Sequence, residues 1–168
     1  MKIKPFTLVE TKLLAFIFLV LFVVIGFNMS ISLRRGRDAT RKNDISAIQK
    51  GLDTYYQKYR IYPQSTSDGK MIGCFTEEAV TDILTGLPLN VEVCNWGESN
   101  FEGMSPMPRD PSDKKGVSYK YVSDEKSYGF YVSLEGKDEP EYNLGTQQLG
   151  LQCGTKVCNY GRVVENEI

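Results

Sequence analysis

Histidine is absent from all 168 residues. The chain therefore has no side chain that titrates near neutrality without help, lacks the commonest nitrogen ligand of zinc, and cannot form a Ser-His-Asp arrangement. Glycines occur one at a time, so no phosphate-cradling loop is present. Cysteines number four, Cys74, Cys94, Cys153 and Cys158, and none belongs to a Cys-x2-Cys knuckle, which disfavours a four-thiolate zinc site. Acids are plentiful, but no pair stands out for general acid–base work, and no enzyme is expected. The loop acids, Asp110 and Asp113 among them, supply oxygens suited to calcium but match no EF-hand register, so no cofactor is expected. Tryptophan occurs once, and Trp96 is expected to pack a small core together with the ten tyrosines.

Charge is also missing locally. Residues 13–27, LLAFIFLVLFVVIGF, are wholly apolar apart from glycine, and the uncharged stretch runs on to Leu33. A helix from Leu13 to Ile31 spans about 28 Å, close to the hydrocarbon thickness of a bilayer. No small-residue cleavage site follows the run, so a retained anchor is expected instead of a cleaved secretory signal. A soluble domain of this size has too little material to surround so uniform a helix. Glu10 stands at the start of the run, where a carboxylate facing lipid needs a partner or a purpose.

The remaining charge is unevenly divided. Residues 1–42 carry eight basic against two acidic side chains, net +6, and residues 43–168 carry twelve against nineteen, net −7. An acidic distal part argues against direct nucleic-acid binding, and the basic run RRGRDATRK at 34–42 is expected to meet lipid headgroups or neighbouring acids. Basic residues flank the apolar run on both sides, so the positive-inside rule alone does not orient it. The cysteines add a second criterion: an even number, all distal, suits disulfides in an oxidising compartment outside the cytosol. Three pairings are open, one of which joins sequence neighbours, Cys74 with Cys94 and Cys153 with Cys158.

After the apolar run, DATRKNDISAIQKGLDTYYQKYRIYP places Ile45, Ile48, Leu52, Tyr55 or Tyr56, and Tyr59 at spacings of three and four, the stripe of an amphipathic helix. Arg41, Lys42, Asp44 and Lys58 are read as lying off that stripe. If the two segments are continuous, residues 13–60 make about 72 Å of helix. Pro63 is expected in a break, with Gln64–Lys70 as loop. A short helix is expected in TEEAVTDILTG, with Thr76 as its cap and Glu78 and Ala79 in its first turn. Residues 97–116, with three prolines and three glycines, read as a long surface loop. Residues 117–124 and 126–136 alternate with period two, placing Val117, Tyr119 and Tyr121 on one face and Tyr128, Phe130, Val132 and Leu134 on one face. They predict a hairpin turning at Asp124 and Glu125. The tail is expected to hold little helix or strand of its own, tied down by Cys153 and Cys158.

FTLVE at residues 6–10, the apolar helix after it, and RDATRKNDISAIQKGLDTYYQKYRIYP together resemble the N-terminal methylation segment and first helix of type IV pilins and type II secretion pseudopilins. The resemblance covers residues 2–63 and continues loosely through MPRDPSDKKGVSYKYVSDEKSYGFYVSLEG. It implies cleavage between Pro5 and Phe6, methylation of the new amine, docking of subunits through Glu10 and Phe6, and partners that include like subunits, a prepilin peptidase and an assembly machinery. Two residues depart from the pattern. Pro5 stands where the family has glycine or another small residue, and its fixed φ and missing N–H present a different shape to a protease. Lys12 stands where the family is apolar, within reach of the headgroups or of Glu10.

The reading as a whole is an α+β protein: a long N-terminal helix, membrane-spanning in its first half and packed by its second half on a small head with an antiparallel hairpin or sheet. Its parts are a basic leader at 1–5, a transmembrane helix at 6–33, an amphipathic continuation at 34–62, and an extracytoplasmic disulfide-containing head at 63–168. Leu13, Ala15, Phe16, Leu19, Phe22, Val23 and Gly26 are the expected membrane packing surface. The expected role is a structural subunit of a type IV pilus-like or pseudopilus filament in contact with membrane lipid. The alternative is a membrane-anchored extracytoplasmic binding module that never enters a filament.

Overall fold

The computed structural model describes residues 7–75 and 80–165. One helix, α1 (Leu8–Tyr59), accounts for 52 residues without interruption. The chain divides into two units on either side of the Gly36–Arg37 bond, and α1 contributes to both. In the first unit every large hydrophobic side chain from Leu8 to Leu33 is exposed. Among the described residues α1 is the one helix long and apolar enough to cross a membrane, judged by length and composition.

In the second unit α1 has a single buried face, made by Asp38, Arg41, Ile45, Ile48, Gly51, Leu52 and Tyr55. The apolar part is the stripe read from the spacing. The face starts two turns earlier than expected, however, and starts with charge, so the placement of Arg41 off the stripe is corrected. The helix stops where Arg60 takes a left-handed φ of 62° and its N–H donates to Tyr56 O at 2.8 Å. Tyr62 precedes Pro63, which disfavours helical backbone and keeps the chain extended beyond the stop.

The chain then forms β1 (Gln64–Ser65) and β2 (Met71–Cys74), an antiparallel pair that replaces the plain loop expected at 64–70. Strand β3 (Glu92–Val93) joins on the far side of β2. The second sheet holds β4 (Lys120–Ser123), β5 (Ser127–Val132) and β8 (Tyr160–Glu165) in the order β4-β5-β8, antiparallel throughout. Between β5 and β8 lie a short helix α2 (Leu144–Gln148) and the two-residue strands β6 (Gln152–Cys153) and β7 (Lys156–Val157). The hairpin β4–β5 is the one read from the alternation, with Tyr121 opposite Phe130. It turns where expected because Asp124 Oδ1 accepts from the N–H of Lys126 and Ser127, at 3.1 and 2.7 Å, and Glu125 adopts φ 72°.

Three further expectations are corrected. Strand β8 pairs along the whole of β5, Tyr128 opposite Val164 and Tyr131 opposite Gly161, so the tail does carry a strand of its own. Its residues do not alternate cleanly because one of them is a glycine that makes room: a Cβ on Gly161 would lie 2.4 Å from the Tyr131 ring. Residues 97–116 are not merely a surface loop, since Phe101, Met107 and Asp110 are buried. The loop lies so near α1 that a Cβ on Gly51 would come within 2.7 Å of Met104 Cε. The expected helix near 76–86 fails in its described part, where Val80–Asn90 folds as a tight turn with Thr81 bridged to Pro88. Thr76, Glu78 and Ala79 lie outside the described residues.

The core of the head forms between α1 and the hairpin. Ile45, Ile48, Leu52 and Tyr55 meet Tyr121, Tyr128, Phe130 and Val132, with Phe101 stacked on Tyr55. Trp96 packs edge-on against Tyr119 and Phe130, as its expected role in packing requires.

Candidate functional site

At the start of α1 the chain reads Thr7-Leu8-Val9-Glu10, and these residues close a reciprocal cap. Glu10 Oε2 accepts from Thr7 N–H at 2.7 Å and from Thr7 Oγ1 at 2.8 Å, while Glu10 N–H points to Thr7 Oγ1 at 3.4 Å. Two of the N–H groups that every helix start leaves unpaired are thereby served. The cap gives Glu10 a partner within its own chain. The cleavage positions Pro5 and Phe6 lie outside the described residues.

Beyond the cap, Leu13, Phe16, Leu19, Phe22 and Val23 are all exposed, and nothing lies within 4 Å of the position a Cβ on Gly26 would take. Ala15 and Gly26 are thus small residues on an open apolar surface. In lipid, where hydrophobicity does not distinguish a neighbouring helix from a tail, such small residues permit close backbone approach.

A second cluster sits in the head, centred on Arg41. Its guanidinium grips Asp110 with both arms, Nε to Oδ2 at 2.7 Å and Nη2 to Oδ1 at 2.8 Å, and reaches Asp38 at 2.8 Å and Glu135 at 3.1 Å. Ser112 Oγ is also within 3.2 Å. Asp38 in turn accepts the backbone N–H groups of Glu135 and Gly136, both at 2.9 Å. Arg37 holds Glu135 with a second fork, at 2.7 and 2.5 Å. Three helix side chains, Arg37, Asp38 and Arg41, thus fasten the 110–112 segment and the turn after β5, and Arg41, Asp38 and Asp110 are almost fully buried. The Arg37 fork, aided by Arg41, holds the Glu135 carboxyl at about 2, well below the usual glutamate range.

The expectation that the basic run meets neighbouring acids describes Arg37 and Arg41, and Lys42 as well, which pairs with Glu139 at 2.8 Å and Glu141 at 3.0 Å. Asp44 accepts from the Tyr119 hydroxyl, and burial pushes both groups up from their ordinary ranges. Asp110, a candidate calcium ligand, has each carboxylate oxygen on the Arg41 guanidinium, whose charge opposes that of a cation. Asp113 stands 4.0 Å from Arg109. Among the described residues no group of three or more metal-ligating side chains occurs. The cysteines form two disulfides, Cys74–Cys94 and Cys153–Cys158, the sequence-neighbour pairing.

Sequence reasoning missed the Arg41 cluster, although a signal was available. Continuing the stripe backwards from Ile45 by four and then three lands on Arg41 and Asp38.

Replacing Arg41 with Met leaves Asp38 and Asp110 buried without their cation, and is expected to lower unfolding free energy by about 3–5 kcal/mol. Denaturant unfolding of the detergent-solubilised full chain, followed by tyrosine near-UV circular dichroism, measures this. Because Glu135 has a lower pKa folded than unfolded, its contribution is complete above about pH 4.5 and lost as pH falls towards 2. Thermal midpoints taken from pH 6 to pH 2 should therefore fall less steeply in Glu135→Gln than in the parent chain. At the helix start, Glu10→Gln preserves a capping box and Glu10→Ala does not, at a cost of about 0.5–2 kcal/mol by analogy with other cap losses. Amide hydrogen exchange across residues 8–11 in micelles should quicken in Glu10→Ala and stay near the parent rate in Glu10→Gln.

Comparison with protein-family models, with curated proteins and with solved structures finds no match to this chain.

Proposed function

We propose that this chain is a structural subunit of a filament of the type IV pilus or type II pseudopilus kind, anchored in the cytoplasmic membrane with its disulfide-bonded head outside. The observation that carries the reading is the two-part character of α1. Its first half is apolar on all sides and exposed, while its second half buries one face in the head. A helix apolar all round requires lipid or like helices for its surroundings. A simple anchor would satisfy that requirement without an acid at its N-terminal end, where desolvation is costly. The Thr7–Glu10 cap supports an assembly role because it holds the carboxylate in one place at the head of the packing surface.

The mechanism is mechanical. Subunits gather by close contact of α1 surfaces around Ala15 and Gly26, with Glu10 fixing the axial offset through a neighbour's N-terminal amine. Energy comes from an external machine.

The test is the intact mass and first residue of the protein recovered from its native membrane, with electron microscopy of sheared surface material. The expected result is a chain starting at Phe6, heavier by one methyl group, present in filaments that thin out when Glu10→Ala is co-expressed with the parent. A chain that keeps its leader and is recovered only as a monomer overturns the proposal in favour of a membrane-anchored binding module.

A further inference from the structure

The segment 80–90 is hydrogen-bonded onto itself. Asp82 Oδ1 accepts from Leu84 and Thr85 N–H, Asp82 O accepts from Gly86 N–H, and Leu87 O accepts from Asp82 N–H, each at 2.8 Å. Leu89 N–H closes the base on Val80 O, and the Cys74–Cys94 bond spans the whole segment. At the apex Ile83 is 100% exposed and Leu84 95%. Turn tips are ordinarily polar, and two aliphatic side chains held out by an ordered turn make a knob that no described residue of the head covers. The only charges from 80 to 93 are acidic, Asp82 and Glu92.

Elsewhere in the head is a cleft of about 540 Å³, whose walls include Val117, Leu134 and Val157. Lys115, Lys137 and Lys156 also line it, all three are exposed, and none forms an ion pair among the described residues. The volume lies in the range, roughly 300–1,000 Å³, that seats a compact apolar group. Arg41 and Glu135 of the ion-pair cluster line the cleft as well, which leaves it net positive against the acidic apex, and both surfaces carry apolar groups.

We propose that the Ile83–Leu84 apex of one copy of this chain seats in the cleft rimmed by Lys115, Lys137 and Lys156 of a second copy. The inference rests on the filament reading, which sets copies side by side, and it names the head contact within that filament. Knob and cleft are different surfaces, so in the filament reading each copy offers its knob to the next copy's cleft, a heterologous contact that can propagate. The acidic base of the knob against the basic rim sets its orientation.

The test places a photo-crosslinking amino acid at position 83 of the full chain in native membranes. Crosslinks between copies should map to peptides around Lys137 and Lys156. They should fall roughly tenfold or more with Lys137→Glu plus Lys156→Glu, or with Leu84→Asp beside the probe, as losing an anchor or a complementary rim does at other interfaces. These residues are exposed, and unchanged near-UV circular dichroism certifies the fold. Mixing a probe-bearing chain of reversed cleft with a Leu84→Asp chain of intact cleft should restore crosslinking, limited to pairs. If filaments form but position 83 crosslinks to lipid, to another face of the second copy, or to nothing, this docking is overturned and the filament reading stands. If no copies associate by any probe, both fall.

Discussion

The head depends on one buried guanidinium. Arg41 is nearly inaccessible, and three carboxylates and a serine converge on it from α1, from the 110–112 segment and from the turn after β5. Taking such a charge out of water costs several kcal/mol, which only dense, well-oriented partners offset. The net gain over an apolar contact is small, but the geometry is exacting. An apolar stripe alone tolerates sliding of a helix along a sheet, whereas a bidentate fork on Asp110 together with the Asp38 carboxylate on two backbone N–H groups admits a single register. The aromatic core is assembled within that register: Tyr55 and Phe101 stack, and Trp96 meets Phe130, only when α1, the loop and the sheet are mutually fixed.

Two features of the fold were plain in the sequence because they rest on short-range periodicity. The three-and-four spacing from Ile45 to Tyr55 and the two-residue alternation from Val117 to Leu134 each have one physical cause, a face that must be buried, and the structure buries both. What stayed hidden involves residues distant in sequence. Asp110 sits in a stretch rich in proline and glycine and reads as a solvated loop acid, and only Arg41, 69 positions earlier, makes it a core residue. Strand β8 was hidden for a similar reason: Gly161 looks like a break until the Tyr131 ring across the sheet explains it. Charge alone assigns Arg41 to the solvent face, whereas its spacing from Ile45 puts it on the buried one. At the helix start the T-x-x-E spacing of a capping box stands in the sequence, and the structure closes it between Thr7 and Glu10.

The two clusters divide the work of α1. At its start the Thr7–Glu10 cap organises the end of an apolar surface that has no cover of its own, and in its second half the Arg41 network makes the helix a fixed part of the head. The disulfides act at a different scale. Cys74–Cys94 closes a long excursion from the sheet, while Cys153–Cys158, only five residues apart, removes less chain entropy and holds the shape of the β6–β7 turn.

The strand order of the second sheet has a consequence for colloidal behaviour. Strand β4 is engaged on its outer side, where Tyr121 N–H donates to Gly69 O, but no strand lies beside β8 among the described residues. An open edge of six residues is a template for unwanted pairing whenever many heads are held at high local concentration. Arg162 and Glu165 place opposite charges along that edge, and Gly161 lacks the side chain that would favour a flat ribbon. These residues disfavour amyloid-like strand addition along β8.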